Sequence, residues 1–261
     1  MSAKAFSTLI VADEGDVLRI TLNNPARKNA IGPVMVNELL HVLGNAMEAP
    51  AVRAVVLTGA GDAFCAGGDF AQMSGGGPAA ELPPKGDYAD LLLAIANAPK
   101  PLVARVNGHA LGGGLGLVAA AHFAIGSRGA KLGTPEINVG LFPMMIMAVL
   151  QRHVPRRRLL EMMLLGQRLD ADEAAACGLL NRVVERDALD AAVGEVTQAL
   201  AAKSPIAVRL GLEAFAAQDD LALEEALPLL RDRLAACLLT DDAREGLMAF
   251  LEKRAPKWAG K

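Results

Sequence analysis

Two glycine clusters and one carboxylate are the residues of this sequence whose types and spacing suit chemistry. The first cluster runs from Gly59-Ala60-Gly61 to Cys65-Ala66-Gly67-Gly68-Asp69, and the second is Gly108-His109-Ala110-Leu111-Gly112-Gly113-Gly114. Each follows a stretch that reads as a β-strand, and the second leads directly into a helical stretch. Glycine lets the backbone come close to a ligand. The amides that open a helix have no partner inside it and lie at the positive end of its dipole. Two such amides from different loops could hold one oxyanion, although a tight turn is the simpler account of any single glycine pair. A dinucleotide site is disfavoured, because Phe64 stands where the third glycine of GxGxxG would fall and no GxxxxGK[ST] occurs. Glu136 lies between Thr134-Pro135 and the apolar run Ile137 to Met147. That setting predicts partial burial and a raised pKa, which suit a proton carrier. Taken alone, the same residue reads more simply as an exposed glutamate at the start of a loop or helix.

The elements that must position these residues can be read from pattern. Phe6 to Ala12 and Val17 to Leu22 read as strands around an Asp-Glu-Gly-Asp turn. Pro33 to Met47 has helical apolar spacing with a proline suited to the first turn, and Arg53 to Thr58 reads as a buried strand. Residues 74–86, SGGGPAAELPPKG, read as a loop bordering a pocket or as a plain connection. A second strand-to-helix unit starts at Pro101, and short strands are expected at Phe123 to Gly126 and Lys131 to Gly133. From Phe142 the pattern is almost all helical: Pro143 to Arg152, Arg156 to Leu165, Asp172 to Ala176, then near 187–203, 205–217, 221–239 and 241–254. The expected fold class is therefore α/β with an all-helical C-terminal region.

Composition narrows the functional classes. A chain of 261 residues, 52% apolar, can bury one large core, or a core with a helical tail. Aromatics are only 3% and the net charge is −3 with no basic tract, so nucleic acid is not an expected partner. No apolar run reaches membrane-spanning length, and the N-terminus meets acids too early for a signal peptide. Cys65, Cys177 and Cys237 have no metal-binding or redox spacing, so reduced thiols and a cytoplasmic location are expected. Cys65 reads as a small buried thiol rather than a nucleophile, because no nearby His or Asn supplies a base. His109 and His122 read as packed or solvated residues.

The sequence as a whole says more than its parts. NNPARKNAI, VVLTGAGDAFCAGGDF, KPLVARVNGHALGGGLGL, KLGTPEINVGLFP and EGLMAFLEKRAP occur in this order at plausible distances, within a likeness that covers about residues 6 to 258. Together they resemble the crotonase superfamily, the enoyl-CoA hydratase/isomerase family. The resemblance implies a spiral of ββα turns over residues 1–200 and a helical trimerisation region over 201–261. Assembly would be as a homotrimer or a dimer of trimers. It implies oxyanion-hole amides at Gly68 and Gly113. A coenzyme A site is implied along Ala26 to Ala30, with Arg27 and Lys28 at the phosphates and Ala30, Ala66 and Asp69 alongside. Phe250 and Lys253 would come from the C-terminal helix of a neighbouring subunit. The partner is thus an acyl-CoA thioester, with coenzyme A part of the substrate and no separate cofactor or metal.

One departure from the family pattern bears on mechanism. The hydratases usually carry a glutamate three residues after the middle glycine, and here that residue is Gly116. The second family glutamate is kept as Glu136. Met144 stands where a dehalogenating aspartate would fall, which argues against that reaction. The resemblance therefore implies hydration or dehydration of an enoyl-CoA with Glu136 as sole acid/base. Double-bond isomerisation and non-catalytic acyl-CoA binding are the alternatives. Gly116 is expected to leave room for a bulkier acyl group or a water molecule.

Overall fold

The computed structural model describes residues 6–73 and 81–261. Strands β1 (Leu9–Asp13) and β2 (Val17–Leu22) form an antiparallel hairpin. In β2, Leu18, Ile20 and Leu22 alternate into the core, as a strand with one buried face requires. Helix α1 (Pro33–Glu48) follows, with proline in its first turn where a missing N–H costs nothing.

The chain then passes between two sheets. Strands β3 (Ala54–Gly59) and β4 (Ala63–Cys65) come first, followed by helices α2 (Phe70–Met73) and α3 (Tyr88–Ala96). Strands β5 (Leu102–Val106) and β6 (His109–Leu111) precede α4 (Gly113–Ala120), and β7 (Phe123–Ser127) precedes β8 (Lys131–Gly133). In each pair the first strand joins one sheet and the second joins the other. The chain continues through α5 (Met144–Leu150), α6 (Arg156–Leu165), β9 (Arg168–Asp170), α7 (Ala171–Ala176) and β10 (Arg182–Val184). The larger sheet has the order β1-β2-β3-β5-β7-β10 and the smaller β4-β6-β8-β9. The pairings β3–β5, β5–β7, β4–β6 and β6–β8 are all parallel, so each repeat advances the spiral by one strand in both sheets. Every residue of β3 is buried, as expected of a parallel strand covered on both faces.

Helices α8 (Leu189–Ala201), α9 (Pro205–Gln218), α10 (Leu223–Leu238) and α11 (Asp241–Glu252) complete the chain. Within α9–α11 few residues are buried, and polar ties do much of the holding. The Ser204 hydroxyl accepts from Ala207 N at 3.1 Å and donates to the buried Asp242 at 2.7 Å. Asp242 in turn accepts from the amides of Ala259 and Gly260.

The expected strands and helices are present with boundaries shifted by a few residues, and the structure adds several that were not anticipated. The short strands β4, β6, β9 and β10 have too few residues to show periodicity. Helix α3 was also missed, although Asp87 and Asp90 form a capping box at its start and Leu91, Leu92 and Ile95 face the core. Of the glycine- and proline-rich stretch 74–86, residues 74–80 lie outside the described residues. The remainder is held against α1, because Asn37 donates to the carbonyls of Leu82 and Pro83 and accepts from Lys85 N.

Candidate active site

Two buried asparagines fix the first glycine cluster. Asn29 donates to the carbonyls of Ala60 and Ala63, each at 2.9 Å, and its carbonyl oxygen accepts from Asn24 N. Asn107 accepts from Gly59 N at 3.0 Å and donates to Gly61 O. Asn29 and Lys28 both adopt left-handed backbone conformations, with φ of 57° and 50°. Such geometry costs about 1–2 kcal/mol per residue, which the bonds of Asn29, at about 1 kcal/mol each, can offset. The turn so held presents Arg27 and Lys28 outward.

The two glycine loops meet back to back. Gly67 and Gly112 have φ of 106° and 50°, and a Cβ placed on Gly112 would lie 3.6 Å from Gly67 Cα. A side chain on Gly114 would strike the carbonyl of Cys65 at 2.5 Å. Glycine is thus required here for close approach as well as for conformation. Ile31 N donates to Gly67 O and Asp69 N donates to Ile31 O, a bridge that leaves the Gly68 amide without a partner among the described residues. Gly113 is the first residue of α4, where an amide has no partner within the helix. Gly112 N donates to Gly133 O at 2.9 Å, which draws the end of β8, and with it Glu136, to the same place.

Glu136 lies in a short 3₁₀ turn, Pro135–Val139, closed by Gly140 in the left-handed region. Its Oε1 lies 2.7 Å from where a Cβ of Gly112 would be, directly beside the glycine loops. Its Oε2 is buried and, among the described residues, has no hydrogen-bond partner; the same holds for Thr134 Oγ1. Burial pushes the Glu136 carboxyl above the ordinary glutamate value. A buried carboxylate oxygen without a donor costs stability, so its persistence at such a point suits a group that meets a ligand.

The space at Gly116 is not open. A Cβ there would collide with the Tyr88 hydroxyl and with Ile146 Cγ2, so the expected room for a branched acyl group or a water molecule is taken by these two side chains. Tyr88 reaches this point from the start of α3, and its hydroxyl donates to Gly113 O at 2.5 Å. The sequence reading passed over it because it lies in a helix that was not anticipated. The signal available was that Tyr88 is the only tyrosine of the chain and directly follows a glycine-rich loop.

A cavity of about 420 Å³ is lined by Ala26, Arg27, Lys28, Ala30, Ala66, Gly68 and Asp69, together with Phe70 and Ala71. The structure therefore gathers most of the residues singled out for coenzyme A into one place that ends at Gly68. Asp69 is buried and pairs with Arg27 at 3.1 Å, while also accepting from Gln72 Nε2 at 2.9 Å. Phe250 and Lys253 do not line this cavity; Phe250 is 81% exposed on α11 and Lys253 caps that helix in a left-handed conformation. A second cavity, between Met47, Lys100, Pro205 and Trp258, lies apart from the glycine loops.

The remaining reactive side chains have structural occupations. Cys65 is fully buried and its thiol is pushed up to about 12 by that burial, so it stays protonated. His122 Nδ1 accepts from Leu102 N, and burial lowers its pKa. His109 Nδ1 accepts from Lys131 N. Among the described residues no three His, Cys, Asp or Glu side chains gather as a metal site. No helix of the described residues is long and apolar enough to cross a membrane.

Comparison with known proteins agrees with this architecture. The model of the enoyl-CoA hydratase/isomerase family matches residues 12–261. Carnitinyl-CoA dehydratase of Proteus mirabilis is 34% identical over 261 residues, covering 97% of this chain and 99% of that protein. The crystal structure of an enoyl-CoA hydratase from Mycobacterium smegmatis superposes with a TM-score of 0.88 at 36% identity, over 96% of this chain and 98% of that one. That of an enoyl-CoA hydratase from Bacillus anthracis gives 0.89 at 30% identity, over 98% and 100%.

Proposed function

The chain belongs to the enoyl-CoA hydratase/isomerase family, and within it we propose a hydratase that works with a single carboxylate, Glu136. It is an enzyme of acyl-CoA hydration and dehydration. The observation that carries the mechanism is Glu136 itself: a buried carboxylate oxygen that, like the amides of Gly68 and Gly113 in the two glycine loops beside it, has no partner among the described residues.

In this reading the thioester carbonyl oxygen lies between the amides of Gly68 and Gly113. As water adds to the β-carbon, the π electrons move toward the carbonyl and the two amides stabilise the enolate, each worth about 3 kcal/mol. Glu136 takes a proton from the water and returns it to the α-carbon, so one carboxylate serves as base and then as acid. Its raised pKa favours that return step. Coenzyme A belongs to the substrate and no separate cofactor is called for. The cavity at Arg27 and Lys28 receives its phosphates, with Ala30 and Ala66 along its path and Asp69 holding Arg27 in place.

We further assign residues 1–200 to the catalytic spiral and 201–261 to a helical region that joins subunits as a trimer or a dimer of trimers. The exposed leucines of α10 and α11 support this, and Phe250 and Lys253 would then reach a neighbour's coenzyme A. A cytoplasmic location fits the three free thiols. Incubating the protein with a panel of enoyl-CoAs in D₂O, read by mass spectrometry, tests the proposal. Hydration appears as added water with deuterium at the α-carbon. A shifted double bond without added water would assign isomerisation instead, a reaction for which one carboxylate also suffices.

A further inference from the structure

Gly112 immediately precedes the first residue of α4, and Gly116 lies in its first turn. Glu136 Oε1 occupies the space in front of the first, and the Tyr88 hydroxyl the space in front of the second. A carboxylate and a phenol thus both border the opening turn of α4, and the Tyr88 hydroxyl also lies 3.4 Å from where a Cβ of Gly113 would be. The phenol has one proton, and Gly113 O receives it. What Tyr88 offers a ligand at this turn is therefore an oxygen lone pair, an acceptor and not a donor. Burial and the nearby Cys65 and Glu136 hold the phenol well above its ordinary pKa, so it stays neutral beside the carboxylate.

We propose that Tyr88 orients the attacking water, accepting a hydrogen bond from the water proton that Glu136 does not take. The proposal rests on the hydration reading. The water oxygen bonds to the β-carbon as the π electrons move onto the thioester. Glu136 removes one water proton and delivers it to the α-carbon. The other proton stays on the new β-hydroxyl and keeps its bond to Tyr88. In dehydration the same bond positions the leaving hydroxyl. Tyr88 is then specific to steps that involve a β-oxygen. It takes no part in removing an α-proton, which needs only Glu136 and the two amides.

The test compares two activities of Tyr88→Phe and the unsubstituted enzyme: hydration of crotonyl-CoA, and α-proton exchange of butyryl-CoA in D₂O, which has no β-oxygen. The expected result is a fall of about tenfold in kcat for hydration with KM nearly unchanged, while exchange proceeds at the original rate. Retained exchange also shows that the variant is folded and its glycine loops are intact. A parallel loss of both activities would overturn the proposal, because Tyr88 would then act through Gly113 and the amides. Unchanged hydration would overturn it as well. If the unsubstituted enzyme exchanges but does not hydrate, the hydration reading fails, and the water-orienting role with it. A failure confined to the Tyr88 variant leaves that reading standing.

Discussion

The spiral of β-strands and the three helices that follow it treat apolar side chains in opposite ways. In the spiral, Leu57, Phe64, Leu102, Leu115 and Leu117 are almost wholly buried, and β3 has no exposed residue. In α10 and α11, Leu223, Leu227, Leu234, Leu238, Leu247 and Leu251 are each at least 57% exposed. The α10 leucines fall at helical spacing and form a stripe. A surface of this kind marks an interface rather than a finished exterior. The spiral holds the core, Glu136 and the glycine loops, although Val139, Met144 and Leu165 in its later part are also exposed. In the proposed assembly the terminal helices pack against a second copy of the chain.

This contrast can be broken at either end, and the largest effect is expected in the spiral. Glu136→Gln preserves shape and removes the base. It should lower kcat by about 10² or more, or roughly 2.7 kcal/mol, with little change in KM and an unchanged circular dichroism spectrum. In the parent enzyme the active form is the ionised carboxylate. Burial raises the Glu136 pKa, so the acidic limb of the kcat/KM profile should lie above the ordinary glutamate value of 4.5. A limb at or below that value would contradict the burial seen here.

In the helical region, Leu234→Asp with Leu238→Asp should dissociate the assembly while the spiral stays folded. Sedimentation would then report a smaller species, and affinity for coenzyme A esters should fall if Phe250 and Lys253 act on a neighbour's site. An unchanged mass would remove the interface assignment. A smaller effect is expected at the cavity. Lys28→Asn keeps a residue that tolerates the left-handed conformation and removes one charge. The dissociation constant for coenzyme A esters should rise several-fold at low salt, and the difference should shrink as salt is added. Lys28 is the cleaner target because replacing Arg27 would also strand the buried Asp69.

The smallest expected effect concerns stability. A carboxyl whose pKa is raised by folding binds its proton more tightly in the native state. Stability therefore falls as pH rises from the unfolded toward the folded pKa, and it stays lower above both. Glu136→Gln removes this penalty, so its Tm at neutral pH should match or slightly exceed that of the parent. The gain should vanish below the unfolded-state pKa. A clear loss of Tm at neutral pH would mean that the carboxylate contributes stabilising contacts that the structure does not contain.

Much of this was legible in the sequence where residue type dictates backbone geometry or charge. The glycines at 67, 112 and 114 mark the loops because backbone conformation or close approach leaves no place for a side chain there, and Pro135-Glu136 marks the carboxylate. Long elements such as α1 and β3 declare themselves through periodicity. Strands β4 and β6 have only three residues each, and what fixes them is pairing with partners distant in sequence. Gly116 shows the limit most clearly. Its missing side chain reads as empty space, whereas the fold fills that space with Tyr88 and Ile146 from α3 and α5. Only the tertiary arrangement brings those helices to α4.

The chemistry proposed is that the amides of Gly68 and Gly113 stabilise an enolate, which Glu136 forms by taking an α-proton and quenches by returning it. It is tested most directly by following deuterium uptake at the α-carbon of butyryl-CoA in D₂O, for the parent enzyme and for Glu136→Gln side by side. Steady incorporation is expected with the parent and a rate at least about 10² lower with the variant. Exchange by Glu136→Gln at the parent rate would contradict it.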